Sequence, residues 1–234
     1  MKNLLIIHQS AELYGSDKAL LLLLSRLDKT QYCPVVVLPS EGPLKQELEL
    51  LEIKVVIAPV LKLYRKMFTP GNMLRFLKEI RIAVRVLDKL HKAYNFSLVY
   101  SNTLAVLLGM IYARRKKIAH VWHVHEIIVH PKLIATTFPK LLKAYADVVV
   151  CNSYATKENL TSYIDALGKK CVVVHNGLDA DMYSNISGSK ADYGFSENDI
   201  VVTLIGRISR LKGHKWLLNT YINFLKDSGI KLLF

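Results

Sequence analysis

A chain of 234 residues has room for one large domain, or for one domain and part of another. With 51% hydrophobic and only 22% charged residues it can build a buried core, which excludes a disordered or low-complexity protein. Its 32 Lys+Arg against 19 Asp+Glu leave a formal charge of +13, and such a surface calls for an anionic partner: nucleic acid, a phosphate-bearing ligand or an acidic membrane face.

The first strand is expected at Asn3–His8. Its apolar run, Leu4–Ile7, is too short for the core of a signal peptide. The loop Gln9–Gly15 leads into a helix over Ser16–Lys29 with Ser16 as N-cap. Strand Pro34–Leu38, helix Leu44–Leu51 and strand Lys54–Ala58 follow, and then a long amphipathic helix, Asn72–Ala93. Strands Leu98–Tyr100, Ala119–His125, Asp147–Cys151 and Cys171–His175 alternate with helices Leu104–Arg114, Pro139–Tyr145 and Ser153–Tyr163. Ser97–Ala113, the longest mostly apolar segment without charge, falls short of the ~20 residues of a membrane span. Cys33, Cys151 and Cys171 are odd in number and set in apolar runs, as buried thiols of a reducing compartment would be. The expectation is a cytoplasmic chain that does not cross a membrane.

Near-continuously apolar strands alternating with helices imply a parallel sheet covered on both faces. With right-handed crossovers this gives an α/β, doubly wound, Rossmann-like domain over residues 1–178. Residues 179–199, rich in Ser, Asp, Asn and Gly, read as an interdomain linker. A second Rossmann-like domain is expected to start at 200–234, with strand Ile200–Ile205, helix Lys215–Leu225 and strand Ile230–Phe234. A lone βαβ unit cannot cover its own faces, so this second domain is expected to be truncated.

Several short motifs carry chemistry. Gly15, at the mouth of the first helix, would let a ligand phosphate approach a positive helix terminus, or it serves turn geometry alone. No GxGxxG follows the first strand, which argues against a dinucleotide enzyme. His120, His123, His125 and His130 cluster around the fifth strand. A zinc site would need three or four converging ligands, and the HxH here lacks a downstream partner pair. The remaining readings are satisfied strand-end histidines, or a ligand role for His125 at the carboxyl end of its strand. Gly206-Arg207-(x4)-Lys212-Gly213 places two cations on the loop after a domain's first strand, where they could clamp a diphosphate or simply be solvated.

Trp122-His123-Val124-His125-Glu126, Asn152-Ser153, Asn176-Gly177-Leu178-Asp179 and Gly206-Arg207-(x4)-Lys212-Gly213 together resemble glycosyltransferase family 4 in order and spacing, over essentially the whole chain. The resemblance implies the two-lobed GT-B architecture, with residues 1–178 as the acceptor-binding domain and 200–234 as the start of the nucleotide-sugar-binding domain. It implies retaining transfer of a sugar from a nucleotide-diphosphate donor to a glycan or lipid-linked acceptor in surface polysaccharide or lipopolysaccharide assembly, with no cofactor and no essential metal. Carried over position by position, His125 lies at the reacting centre, and Arg207, Lys212 and Gly15 bind the donor diphosphate. Two departures stand out. Tyr14 occupies the place of the family's other first-loop glycine, and the family's glutamate pair lies beyond Phe234; Glu41 and Glu49 share its spacing by coincidence. The chain alone is therefore expected to be inactive, and the alternative is a non-catalytic truncated module that binds phosphosugar or anionic membrane.

From Lys62 to Lys92 there are nine Lys/Arg and two acids. Arg75, Lys78, Arg85, Lys89 and Lys92 recur at helical spacing as one stripe, opposite Met73, Phe76, Leu77, Ile80, Val84 and Leu87. Arg114-Arg115-Lys116-Lys117 adds a second cluster. The stripe is either a solvated face or a contact with an anionic membrane, where each close cation contributes about 1 kcal/mol. The family's lipid-linked acceptors favour the second, on the cytoplasmic face of the inner membrane. No nucleic-acid motif or interleaved aromatic surface accompanies it.

Overall fold

The computed structural model describes residues 1–61, 70–180, 184 and 187–234, without the side chains of 70–74 and 211. Lys62, Arg65, Lys66 and the Met73 side chain of the basic stretch therefore lie outside the described residues, as do parts of the segment 179–199. The described residues form two compact units, Met1–Leu178 and Asp179–Phe234.

In the first unit seven strands make one sheet: β1 (Lys2–His8), β2 (Tyr32–Leu38), β3 (Lys54–Ile57), β4 (Leu98–Asn102), β5 (Ala119–Val124), β6 (Val148–Cys151) and β7 (Cys171–Val173). Their order is 3-2-1-4-5-6-7 and every pairing is parallel. Chain direction across the sheet reverses between β1 and β4, the point where a crevice opens beyond the carboxyl ends of the strands. Six helices cover the two faces: α1 (Gly15–Ser25), α2 (Pro43–Leu50), α3 (Pro70–Tyr94), α4 (Leu108–Lys116), α5 (Lys132–Tyr145) and α6 (Tyr154–Tyr163).

Strands buried on both faces need apolar residues at successive positions, and β2 supplies Val35, Val36, Val37 and Leu38, all fully buried. Alternate residues feed different layers. Val35 and Val37 pack with Ala83 and Leu87 of α3 and Tyr112 of α4, whereas Val36 and Leu38 pack with Leu20 and Leu24 of α1 and Leu44 and Leu48 of α2. A third cluster joins Trp122 and Val149 to Phe138 and Leu142 of α5 and Leu160 of α6.

Several boundaries differ from the sequence expectation. Helix α1 begins at Gly15, not after Ser16: its N-cap is Tyr14, whose N–H donates to Asp17 Oδ2 at 2.9 Å. A carboxylate at the third helical position thus reaches back to the N-cap N–H, and it also complements the helix dipole. At α6 the expected cap holds, with Ser153 Oγ accepting from Thr156 N. Pro139, read as a helix start, lies inside α5, where its buried ring packs in the core. Residues 104–107 precede α4 instead of opening it.

In the second unit β8 (Val201–Thr203) pairs parallel with β9 (Lys231–Leu233) through α7 (His214–Thr220) and a π-helical turn at Tyr221–Leu225. A one-residue widening of this kind interrupts the i−4 ladder. Ile205, Ile208, Trp216 and Phe224 are all strongly exposed there.

Candidate functional site

The carboxyl ends of the three central strands bring four polar side chains together, three of them almost completely buried. His8, at the end of β1, is directly opposite Asn102, at the end of β4, in the strand register. His8 Nε2 donates to Asp17 Oδ1 at 2.6 Å, and Asn102 Nδ2 lies 2.9 Å from His8 Nδ1. One residue past β5, His125 Nε2 lies 2.8 Å from Asn102 Oδ1. Asp17 sits in the first turn of α1, so the network ties that helix terminus to the sheet. Burial raises the Asp17 carboxyl, but the bonds from His8 and the Tyr14 N–H outweigh it and leave it below its ordinary value.

Neighbouring groups fix His125 from its other side. Glu126 Oε2 accepts the backbone N–H of His125 and of Leu104, each at 3.2 Å, and Asn152 Nδ2 donates to the His125 carbonyl at 3.3 Å. Burial lifts the Glu126 carboxyl against these backbone donors. The His123 ring lies 4.0 Å from that of His125, centre to centre. Its Nδ1 bonds Tyr100 Oη at 2.6 Å, and its buried Nε2 has no partner. Burial depresses both rings, His125 to about 4 with a further push from His8, and His123 to about 3 with a further push from His125. Both are neutral imidazoles at physiological pH.

The turn after Asn102 is strained. Thr103 has φ of 86°, a value that β-branched residues rarely adopt, and its buried Oγ1 is unpartnered. It is held by two bonds from the fifth strand: Trp122 Nε1 donates to the Thr103 carbonyl at 2.9 Å, and Thr103 N donates to the His123 carbonyl at 2.9 Å. Strain of this kind persists only where the surroundings over-determine it.

The structure brings His125 and the Gly15 helix start to the same end of the sheet, linked through Asp17 and His8. Gly15 has no left-handed φ, and a Cβ built on it would meet nothing within 4 Å, so neither its backbone nor its neighbours demand glycine. Arg207 and Lys212 are both exposed on the β8–α7 loop of the second unit, with the Lys212 stem packed over Gly206. Gly177 lies one residue before the end of the first unit, and a Cβ built on it would sit 3.5 Å from Leu22 Cδ2. His120 points elsewhere: its Nε2 bonds Ser101 Oγ and its Nδ1 the Tyr145 carbonyl. His130 is exposed on the loop after β5. Among the described residues no three His, Cys, Asp or Glu are grouped to hold a metal. The sequence reading missed His8, Asp17 and Asn102. A histidine ending one strand and an asparagine ending another were visible, but only the sheet order makes them neighbours.

On α3, Ala83 and Leu87 face the core, while Arg75, Lys78, Arg85, Lys89 and Lys92 are exposed. Arg75 pairs with Glu79 at 2.9 Å; the other four have no acidic partner among the described residues. The second basic cluster is largely engaged within the fold: Lys116 and Arg115 face Asp88, at 2.7 and 3.8 Å, and Arg114 donates to Tyr145 Oη at 2.7 Å.

A parallel seven-stranded, doubly wound sheet with its polar cluster at the switch point is the N-terminal Rossmann-like domain of a GT-B glycosyltransferase. The model of Glycosyltransferase Family 4 matches residues 15–182, and the chain belongs to that family. Among solved structures, Anabaena Alr3699/HepE in complex with UDP and glucose superposes with a TM-score of 0.71 at 21% identity, over 99% of this chain and 60% of that one. Sucrose-phosphate synthase from Thermosynechococcus elongatus gives 0.68 at 13% identity, over 96% and 60%. A Campylobacter jejuni enzyme, N-acetylgalactosamine-N,N'-diacetylbacillosaminyl-diphospho-undecaprenol 4-alpha-N-acetylgalactosaminyltransferase, is 28% identical over 106 residues, 45% of this chain and 27% of its own length. The chain thus spans less than two thirds of each of these relatives, 60% of the two solved structures and 27% of the Campylobacter enzyme. No helix among the described residues is long and apolar enough to cross a membrane.

Proposed function

We propose that the chain provides the acceptor-binding domain, and the start of the donor-binding domain, of a glycosyltransferase that moves a sugar from a nucleotide diphosphate to a glycan or lipid-linked acceptor with retention of configuration. The observation that carries this reading is the convergence of His125, Asn102, His8 and the α1 N-terminus at the carboxyl ends of β5, β4 and β1, in a chain of Glycosyltransferase Family 4. The UDP and glucose in the HepE complex support a nucleotide-sugar donor, and the undecaprenol-linked substrate in the Campylobacter enzyme's name supports a lipid-linked acceptor. As the donor's glycosidic bond breaks, charge builds on the leaving phosphate. In the second unit Arg207 and Lys212 would stabilise that charge without a metal ion. In the first unit the open space at Gly15 would admit a phosphate oxygen. The exposed cations of α3 would rest on the anionic cytoplasmic leaflet, close to such an acceptor.

The test is calorimetric titration of UDP and GDP into the chain, with Arg207→Ala and Lys212→Ala as controls. Binding of one nucleotide that both substitutions abolish supports the donor subsite. Absence of binding to the unsubstituted chain refutes a donor site in it and leaves a non-catalytic module.

A further inference from the structure

The bonds joining residues 125, 102, 8 and 17 have a direction. The Asp17 carboxylate only accepts, so His8 carries its proton on Nε2. The Ser16 carbonyl also only accepts, and it lies 3.4 Å from Asn102 Nδ2, the same atom that reaches His8 Nδ1. The amide nitrogen of Asn102 therefore belongs on the His8 side and its oxygen on the His125 side. His125 must then donate from Nε2. From His125 to Asp17 each proton points the same way, and the chain ends on a carboxylate.

A neutral imidazole has one N–H. With that of His125 committed to Asn102, its Nδ1 keeps the lone pair, and no group among the described residues bonds to that atom. We propose that Asp17, His8 and Asn102 are positioning residues that hold His125 as the Nε2–H tautomer and leave Nδ1 as a hydrogen-bond acceptor for a ligand hydroxyl. The assignment rests on the proposed place of His125 at the reacting end of the sheet. It also sorts the ligand's parts by chemistry. A sugar or acceptor hydroxyl can donate to Nδ1, whereas an ionised phosphate oxygen cannot, so the diphosphate falls to other groups. Burial keeps His125 neutral, which preserves the lone pair through physiological pH. The Thr103 turn, clamped by Trp122, holds the Asn102 amide between the two rings.

A purely structural tie between β1, β4 and β5 would make a different prediction. It would lose stability on substitution without biasing which His125 nitrogen is protonated. Proton–nitrogen correlation NMR on isotope-labelled histidine side chains of the whole chain, near pH 7, separates the two. In the unsubstituted chain both His8 and His125 should appear as Nε2–H tautomers. In Asp17→Asn the residue presents an amide N–H2 in place of one carboxylate oxygen. His8 can then accept from it at Nε2 and carry its proton on Nδ1. Asn102 turns over in response, and the Nε2–H to Nδ1–H ratio of His125 should fall roughly fivefold to tenfold, the factor set by the net worth of one hydrogen bond. A His125 ratio unchanged in Asp17→Asn, with the fold intact by its amide spectrum, overturns the proposal. If that variant does not fold, the unsubstituted spectrum decides: His125 protonated on Nδ1, or an even mixture, overturns it equally. Neither readout uses nucleotide binding, so a failed UDP titration would sink the donor reading while leaving this one standing.

Discussion

Acidification should destabilise the first unit through His123 and His125, and the size of the effect follows from their burial. Both rings are neutral in the fold, with His125 depressed from 6.5 to about 4 and His123 to about 3. Unfolding exposes them and returns each to its ordinary value. Between that value and the folded one, the unfolded chain binds protons that the folded chain does not. Stability is therefore complete above about pH 6.5 and is lost as pH falls toward the folded values. A tenfold difference in proton affinity is worth about 1.4 kcal/mol, so at pH 5 each ring forgoes at most about 2 kcal/mol. With centres 4.0 Å apart the two rings titrate as a pair, and the sum is less than twice that figure. Against a total stability of order 5–15 kcal/mol this is a large fraction. Urea unfolding followed by Trp122 emission, at pH 7 and at pH 5, measures it; Trp122 is fully buried, whereas Trp216 is 71% exposed and changes little on unfolding. The midpoint should drop clearly at pH 5, and His123→Gln/His125→Gln should remove most of the drop. Burial also depresses His120, which leaves some slope in the double variant. Equal midpoints at the two pH values, or an undiminished drop in the double variant, would refute the reasoning.

Other outcomes are equally specific. Trp122→Phe removes the donor to the Thr103 carbonyl and should lower stability by about 1–3 kcal/mol in urea unfolding followed by far-UV circular dichroism, as expected for an orphaned buried acceptor. Gly42→Ala places a Cβ 2.4 Å from the Ala11 carbonyl, the acceptor for Leu44 N, so the α2 entry must shift and about 1–3 kcal/mol should be lost. Reversing three unpaired cations, Arg85→Glu/Lys89→Glu/Lys92→Glu, should weaken co-sedimentation with phosphatidylserine vesicles by roughly a hundredfold at low salt, at about 1 kcal/mol per cation. Unchanged sedimentation would make the stripe a solvated face.

The sheet was legible because buried parallel strands write apolar runs such as Val35–Leu38 directly into the sequence. Strand ends and helix starts were less so. Pro139 read as a helix start because proline favours a first turn, yet packing of its ring in the core keeps it within α5. Ser16 read as a cap because nothing local shows that the Asp17 carboxylate reaches back to Tyr14 N. The ligand role weighed for His125 came from its place at a strand's carboxyl end. The groups that hold it were hidden, since His8 and Asn102 become neighbours only when β4 is laid beside β1. The run 114–117 read as a second basic cluster, and only the fold reveals that Asp88 and Tyr145 engage most of it.

The pairing of His8 with Asn102 spans 94 residues of chain, far more than the β1–β2 pairing beside it. During synthesis β1, β2 and β3 can associate while β4 is still unmade, and closing the longer loop comes later. The polar cluster is therefore absent from any intermediate built on the first three strands and arises when β4 and then β5 dock. A ligand that recognises the cluster can bind only chains past that step, so in a refolding experiment its presence would draw late intermediates to completion without accelerating the early ones.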